Sequence, residues 1–178
     1  MGKKKDRPFQ RLSLSLEIRP AYFKDWIRFQ KHHYLDSSVS KSCHFYLGNI
    51  DGQAVAFSAV IHGCGRDIKS YWRESRIVVL PEWQGMGIGS KFSNSIAEIY
   101  TNQGKRFFSK TAHPALGEYR NKNKHLWRAT TTNMIKRTSY LLTDGTARQA
   151  NCFGKSDEAI IRDSNRVCYS HEYIGKKP

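Results

Sequence analysis

The chain has 178 residues, with 30 Lys and Arg against 15 Asp and Glu, a formal net charge of +15. That length predicts one domain whose core is large enough to fold unaided. No run reaches the ~20 apolar residues of a membrane helix, and none resembles a signal peptide, so a membrane-spanning chain is excluded and a cytoplasmic protein is expected.

Residues 1–11 carry five basic residues and read as a flexible arm, ahead of a single domain over 12–178. Leu12, Leu14, Leu16 and Ile18 alternate with polar residues, the pattern of a half-buried first strand. Pro20 leads into a helix predicted over about 21–33, with Phe23, Trp26 and Ile27 along one side. A serine-rich loop follows at 36–42. Strands over 43–48 and 53–61 flank Asn49-Ile50-Asp51-Gly52, whose Asp-Gly step is hairpin chemistry. A loop over 63–69 precedes a long strand ending at Leu80. A helix follows, stopped at Gly104, and then a strand over Arg106–Ala112 that Pro114 breaks. Residues 117–135 are ambiguous, with a helix around Leu126 and Trp127 one reading. The tail 166–174 reads as a strand with Val167, Tyr169, His171 and Tyr173 on one face. The four cysteines (Cys43, Cys64, Cys152, Cys168) form no C-x-x-C pair and read as reduced, buried thiols rather than a zinc site.

The most specific segment is 77–91. The strand Ile77–Leu80 turns at Pro81 into a loop with Gly85, Gly87 and Gly89, and the loop opens a helix with Ile88, Phe92, Ile96 and Ile99 at helical spacing. Glycines at a helix N-terminus admit a ligand close to the backbone, and the unpaired N–H groups there attract phosphate. A P-loop string Gly-x-x-x-x-Gly-Lys-Ser/Thr is missing. The glycine spacing also fails the dinucleotide fingerprint. A plain strand-to-helix turn is the bland alternative.

Gln84-x-x-Gly87-x-Gly89 between a strand and a helix resembles the pyrophosphate loop of the GNAT acyltransferases, which hold acetyl-coenzyme A. The element order over most of 12–174 is similar as well. The resemblance implies an α/β (α+β) fold, a single mixed central sheet flanked by helices, with the fourth and fifth strands splayed. It implies that the backbone of Val78, Val79 and Leu80 binds the pantetheine arm of an acyl-CoA. The residues Gln84, Gly85, Met86, Gly87, Ile88, Gly89, Ser90 and Lys91 would cradle the pyrophosphate. Acceptor and acyl group would meet in the splay. There His113 follows the fifth strand, and Tyr119 is a candidate acid for the departing thiolate.

Between Glu98 and Asp144 the only acid is Glu118. The stretch includes Lys105, Arg106, Lys110, Arg120, Lys122, Lys124 and Arg128, with Trp127 among them. One cofactor needs few cations, so a nucleic-acid partner is expected, DNA favoured over tRNA, with Tyr119 or Trp127 stacking on a flipped base. His32-His33-Tyr34 closes the first predicted helix, where the plain reading is a cationic C-cap. It is similar to a motif in the GNAT-like Mom proteins of bacteriophages, which modify adenine N6 in DNA and for which iron has been implicated. That likeness implies roles for His33 and Tyr34, and His33 with His113 as a candidate iron pair. Mom proteins carry a carboxylate after the fifth strand, where this chain has His113-Pro114. Other acceptors, and a basic binding module without activity, remain alternatives.

Overall fold

The computed structural model of the protein describes residues 14–33, 38–63, 70–136 and 167–175. The strands are β1 (Glu17–Ala21), β2 (His44–Ile50), β3 (Gln53–Gly63), β4 (Tyr71–Val79), β5 (Phe107–Thr111), β6 (Trp127–Ala129), β7 (Ile135–Lys136) and β8 (Val167–Tyr173). They run in the order β1-β2-β3-β4-β5-β8-β6, with β7 also paired to β8. Among the described residues only β4 and β5 pair in parallel; every other neighbour is antiparallel. This is the mixed sheet the sequence predicts.

The β2–β3 hairpin turns through Asp51 and Gly52, both at positive φ (49° and 78°). That is the mirror-image turn whose twist matches paired strands. Helix α2 (Ile88–Thr101) buries Ile88, Phe92, Ile96, Ala97 and Tyr100. They pack on one sheet face with Val55, Val60, Phe107, Trp127 and Tyr173. On the opposite face Trp26 and Phe29 meet Phe45, Phe57, Ala59, Val78 and Leu80.

Two predicted helices are corrected. The first is one α-helical turn, α1 (Trp26–Phe29), between 3-10 turns over Phe23–Asp25 and Gln30–His32. Only Trp26 and Phe29 are buried, while Ile27 is 65% exposed, so one apolar pair rather than a long stripe holds this segment. The helix read around Leu126 and Trp127 lies earlier, as α3 (Pro114–Lys122), and Trp127 opens β6. Pro114 starts α3 at its first turn, where its missing N–H costs nothing and its φ suits a helix. Leu12, Tyr34, Cys64, Cys152 and the basic arm lie outside the described residues.

Cys43 and Cys168 are buried and unbridged, and burial pushes the Cys43 thiol above its usual range. Among the described residues no helix is long and apolar enough to cross a membrane.

Candidate active site

A register shift in β4 opens the site. Ala59 pairs with Arg76 and Val60 with Glu74, so Ser75 is an extra residue, a bulge that kinks the strand. Parallel pairing of β4 with β5 stops at the same place, after Glu74↔Ser109. Beyond it, among the described residues, the β4 edge over Ser75–Val79 has no strand paired to it on the β5 side. The two strands diverge around a cavity of about 580 Å³.

One end of that cavity is the glycine loop. Gly85 and Gly87 have φ of 82° and 74°, the left-handed region that strains any residue with a Cβ. The first backbone hydrogen bond of α2 runs from Lys91 N–H to the Gly87 carbonyl. Among the described residues the amides of 85 through 90 donate to no backbone carbonyl. The loop is braced from within by Gln84 Nε2 donating to the Val79 carbonyl (2.9 Å) and by Ser90 Oγ donating to the Gly87 carbonyl (2.9 Å). Free amides, left-handed glycines and the positive end of a 14-residue helix together fit a diphosphate.

Three details of the predicted cradle change. The Gln84 amide is bonded to the Pro81 carbonyl (3.2 Å), so the cradle begins at Gly85. Leu80 gives its N–H to the Val55 carbonyl and is buried beneath α1, so the open edge ends at Val79. Met86 and Lys91 are exposed and lie off the cavity wall, whereas Val78, Val79, Gln84, Gly85, Ile88 and Gly89 form it.

The other end carries His113 and Tyr119. His113 sits at the N-cap of α3, its amide hydrogen-bonded to Thr111 Oγ1 (3.0 Å). Tyr119 lies on α3, which packs tightly on β8. A Cβ at Gly117 would stand 2.0 Å from the Tyr169 ring, so glycine is what lets the helix approach. Tyr119 Oη accepts a hydrogen bond from Asn94 Nδ2 (2.8 Å). His32 also lines the cavity and borders a neighbouring one of about 460 Å³ with Arg28, Lys31 and Glu82. His33 instead packs its ring against Trp26 (centroids 6.0 Å apart) and is absent from the cavity wall. His33 therefore does not join His113 on the cavity wall. Among the described residues no group of three or more His, Cys, Asp and Glu could hold a metal ion. Gly87 and Ser90 of the loop also line the wall, as do Ile77, Trp83, Thr111, Ala115 and Leu116, the last five from outside the predicted site. Sequence reasoning missed them because the splay, not a motif, exposes them.

The expected nucleic-acid residues separate into two groups. Arg120 is fully buried: it pairs with Glu74 (Nη2–Oε2, 2.8 Å) and also donates to Ser109 Oγ (2.7 Å) and Ser93 Oγ (2.8 Å). Trp127 is 1% exposed beneath the Arg120 guanidinium, 4.4 Å from its ring centroid. Neither can touch a nucleic acid, because contact would require opening the core. Lys105, Arg106, Lys110, Lys122, Lys124 and Arg128 are exposed.

Arg106 and Arg128 both hydrogen-bond Glu172 (2.6 and 2.5 Å). Burial by itself would raise the Glu172 carboxyl, but these two donors outweigh it and hold it below its usual range. Register puts Arg73, Phe108, Glu172 and Arg128 in one row across β4, β5, β8 and β6. Arg73 pairs with Ile61, which packs against the α1-side cluster, so this row is on the sheet face that α1 leaves uncovered.

The model of the Acetyltransferase (GNAT) family matches residues 12–121, more than half of the chain. No curated protein matches the sequence. Among solved structures, the Escherichia coli ribosomal-protein-S18-alanine N-acetyltransferase is similar at TM-score 0.55 and 14% identity, over 92% of this chain and 97% of its own. Arabidopsis thaliana Naa50 in complex with a CoA-Ac-MVNAL bisubstrate analogue matches at 0.56 and 12%, over 89% and 97%. A Bacillus subtilis acetyltransferase in complex with CoA matches at 0.56 and 10%, over 93% and 100%.

Proposed function

Because the chain belongs to the GNAT acetyltransferase family, we propose that it transfers the acetyl group of acetyl-CoA to an amino group carried by nucleic acid. The observation that carries the reading is the cleft itself, with unpaired amides at one end and His113 and Tyr119 at the other. The Gly85–Ser90 amides hold the pyrophosphate, and the open β4 edge over Ile77–Val79 takes the pantetheine arm. A backbone N–H on that edge stabilises the thioester oxygen as it gains charge. Holding amine and thioester together supplies much of the rate. His113, exposed at the mouth, receives the amine proton directly or through water, and Tyr119 protonates the sulfur.

The acceptor class follows from charge. Arg73, Arg106, Lys110 and Arg128 stand on one open sheet face around Glu172, and Arg28 and Lys31 border the adjoining cavity. A phosphate backbone suits such a face, because each neutralised phosphate releases counterions. Adenine N6 in DNA, the Mom-type target, is the first acceptor to examine, and tRNA is the second.

Incubation with isotope-labelled acetyl-CoA followed by mass spectrometry of nucleosides will show the label on a base or aminoacyl group, and Gly87→Ala will reduce acetyl-CoA affinity in calorimetry. Label appearing only on protein amines moves the acceptor to a polypeptide. No acetyl-CoA binding, with salt-sensitive DNA binding retained, makes the protein a binding module.

A further inference from the structure

Trp127 and Arg120, which the sequence places among nucleic-acid contacts, lie behind Tyr119 and there fix a direction. The indole Nε1–H of Trp127 can only donate, and it donates to Asn94 Oδ1 at 2.8 Å. That contact turns the Asn94 amide so that Nδ2 faces Tyr119 and donates to its oxygen at 2.8 Å. Among the described residues Asn94 is the hydrogen-bond partner of the Tyr119 hydroxyl, with the Tyr173 phenol near enough to interact electrostatically, so the phenol oxygen is an acceptor toward Asn94. Its own proton is left for the cavity that Tyr119 lines. The base of the relay is rigid. Trp127 is clamped between the Arg120 guanidinium and the edge-on ring of Tyr173 (centroids 4.9 Å apart). Arg120 is in turn pinned by Glu74, Ser109 and Ser93.

We propose that Asn94, oriented by Trp127, is the positioning residue that aims the Tyr119 proton into the acyl cleft. This rests on the acetyl-transfer reading above. In the transfer the acceptor nitrogen bonds to the thioester carbonyl carbon, the C–S bond breaks, and sulfur leaves with the bonding pair. Sulfur takes the proton of Tyr119 Oη. The surplus proton on nitrogen passes to His113 or solvent, and solvent restores the phenol. Asn94 Nδ2–H already points at the oxygen that becomes anionic, so its hydrogen bond becomes charge-assisted as the proton departs.

Asn94→Asp reverses the relay without changing its shape. A carboxylate has no N–H to offer, so the Tyr119 hydroxyl must donate backwards to it, away from the cleft. Asn94→Leu removes the donor and adds no charge, which covers the case in which a half-buried aspartate impairs folding. Trp127→Phe keeps an aromatic ring but frees the amide to flip.

The test places 3-fluorotyrosine at position 119 alone and follows its titration by fluorine NMR in the parent protein and the three variants. Asn94→Asp is expected to move the midpoint up by about one pH unit or more, through the adjacent like charge. Asn94→Leu moves it up by less, and Trp127→Phe falls between the parent and Asn94→Leu. Thiol release from acetyl-CoA, with sheared duplex DNA and total tRNA as acceptors, should show kcat lower by about tenfold or more in Asn94→Asp, with KM for acetyl-CoA within about twofold. Equal midpoints in the parent, Asn94→Asp and Asn94→Leu proteins would overturn the proposal, as would a loss confined to KM. Shifted midpoints in a protein that binds no acetyl-CoA in calorimetry would sink the acetyl-transfer reading and leave the hydrogen-bond relay standing.

Discussion

The two faces of the β4-β5-β8 region carry charge to opposite ends. One row, Glu74, Ser109 and His171, faces α2 and α3 and is at most 4% exposed. The adjacent row, Arg73, Phe108 and Glu172, faces the side α1 leaves open. Each member of one row is the sequence neighbour of a member of the other, because successive strand residues point to opposite faces. Charge on the inner row closes on itself: Glu74, Arg120, Ser109 and Ser93 form a compact hydrogen-bonded group. Charge on the outer row exceeds what Glu172 can neutralise. The inner-face cation Arg120 is part of the scaffold, whereas the outer-face cations Arg73, Arg106, Lys110 and Arg128 are exposed.

The contrast breaks most sharply at Arg120. Replacing it with Met leaves the Glu74 carboxylate buried, and among the described residues Glu74 Oε1 already lacks a hydrogen-bond partner. Removing one member of a buried ion pair costs about 3–5 kcal/mol, whereas replacing both with apolar side chains is often neutral. Urea unfolding should therefore show Arg120→Met destabilised by about that amount and Glu74→Leu/Arg120→Met largely recovered. A single variant within about 1 kcal/mol of the parent would remove the pair from the structural face.

His171 sharpens the same face through pH. Burial first, and the nearby Arg120 charge second, lower its pKa to about 4. Its Nε2 meets Asn121 Oδ1 at 2.8 Å, so that nitrogen carries the proton of the neutral ring. An unfolded histidine titrates near 6.5, so between about 6.5 and 4 the unfolded chain binds the extra proton and the folded protein does not. Stability from this residue is present above 6.5 and is lost as pH falls toward 4, at about 1.4 kcal/mol per pH unit. His171→Gln, neutral and able to donate to Asn121, should flatten that slope in urea midpoints measured from pH 7 to 4. An unchanged slope would place the titrating group elsewhere.

Whether a residue's role is legible in the sequence depends on what that role requires. The Gly85-x-Gly87-x-Gly89 loop was legible because its chemistry is backbone chemistry: φ of 82° and 74° needs glycine wherever the chain runs. The Asp51-Gly52 hairpin turn was legible for the same reason. Arg120 and Trp127 were misread because a guanidinium beside an aromatic ring looks alike in sequence whether phosphate or Glu74 completes it. Only the packing of α3 against β8, permitted by Gly117, decides between them. The cleft wall at Ile77 and Thr111 was illegible, since it depends on a one-residue bulge at Ser75 that no residue type announces. His32 and His33 were distinguished only by the short 3-10 turn that ends at His32 and turns one ring to the cleft and its neighbour to Trp26.

The outer face gives the smallest stability effect and the clearest binding effect. Arg73 and Lys110 are both exposed, and they flank the β4–β5 splay from its two strands. Replacing both with Gln should cost little stability, since both side chains are exposed and an exposed polar contact is worth about 0–1 kcal/mol. If the face tracks a phosphate backbone, duplex DNA affinity should fall and the slope of log K against log salt should flatten by about 0.9 for each phosphate contact removed. The loss should be nearly independent of sequence, since contacts to phosphate position a nucleic acid without reading its bases. A double variant with an unchanged salt slope would make this face a solvated surface, and the search for the polyanion would shift to Arg28 and Lys31 beside the cleft.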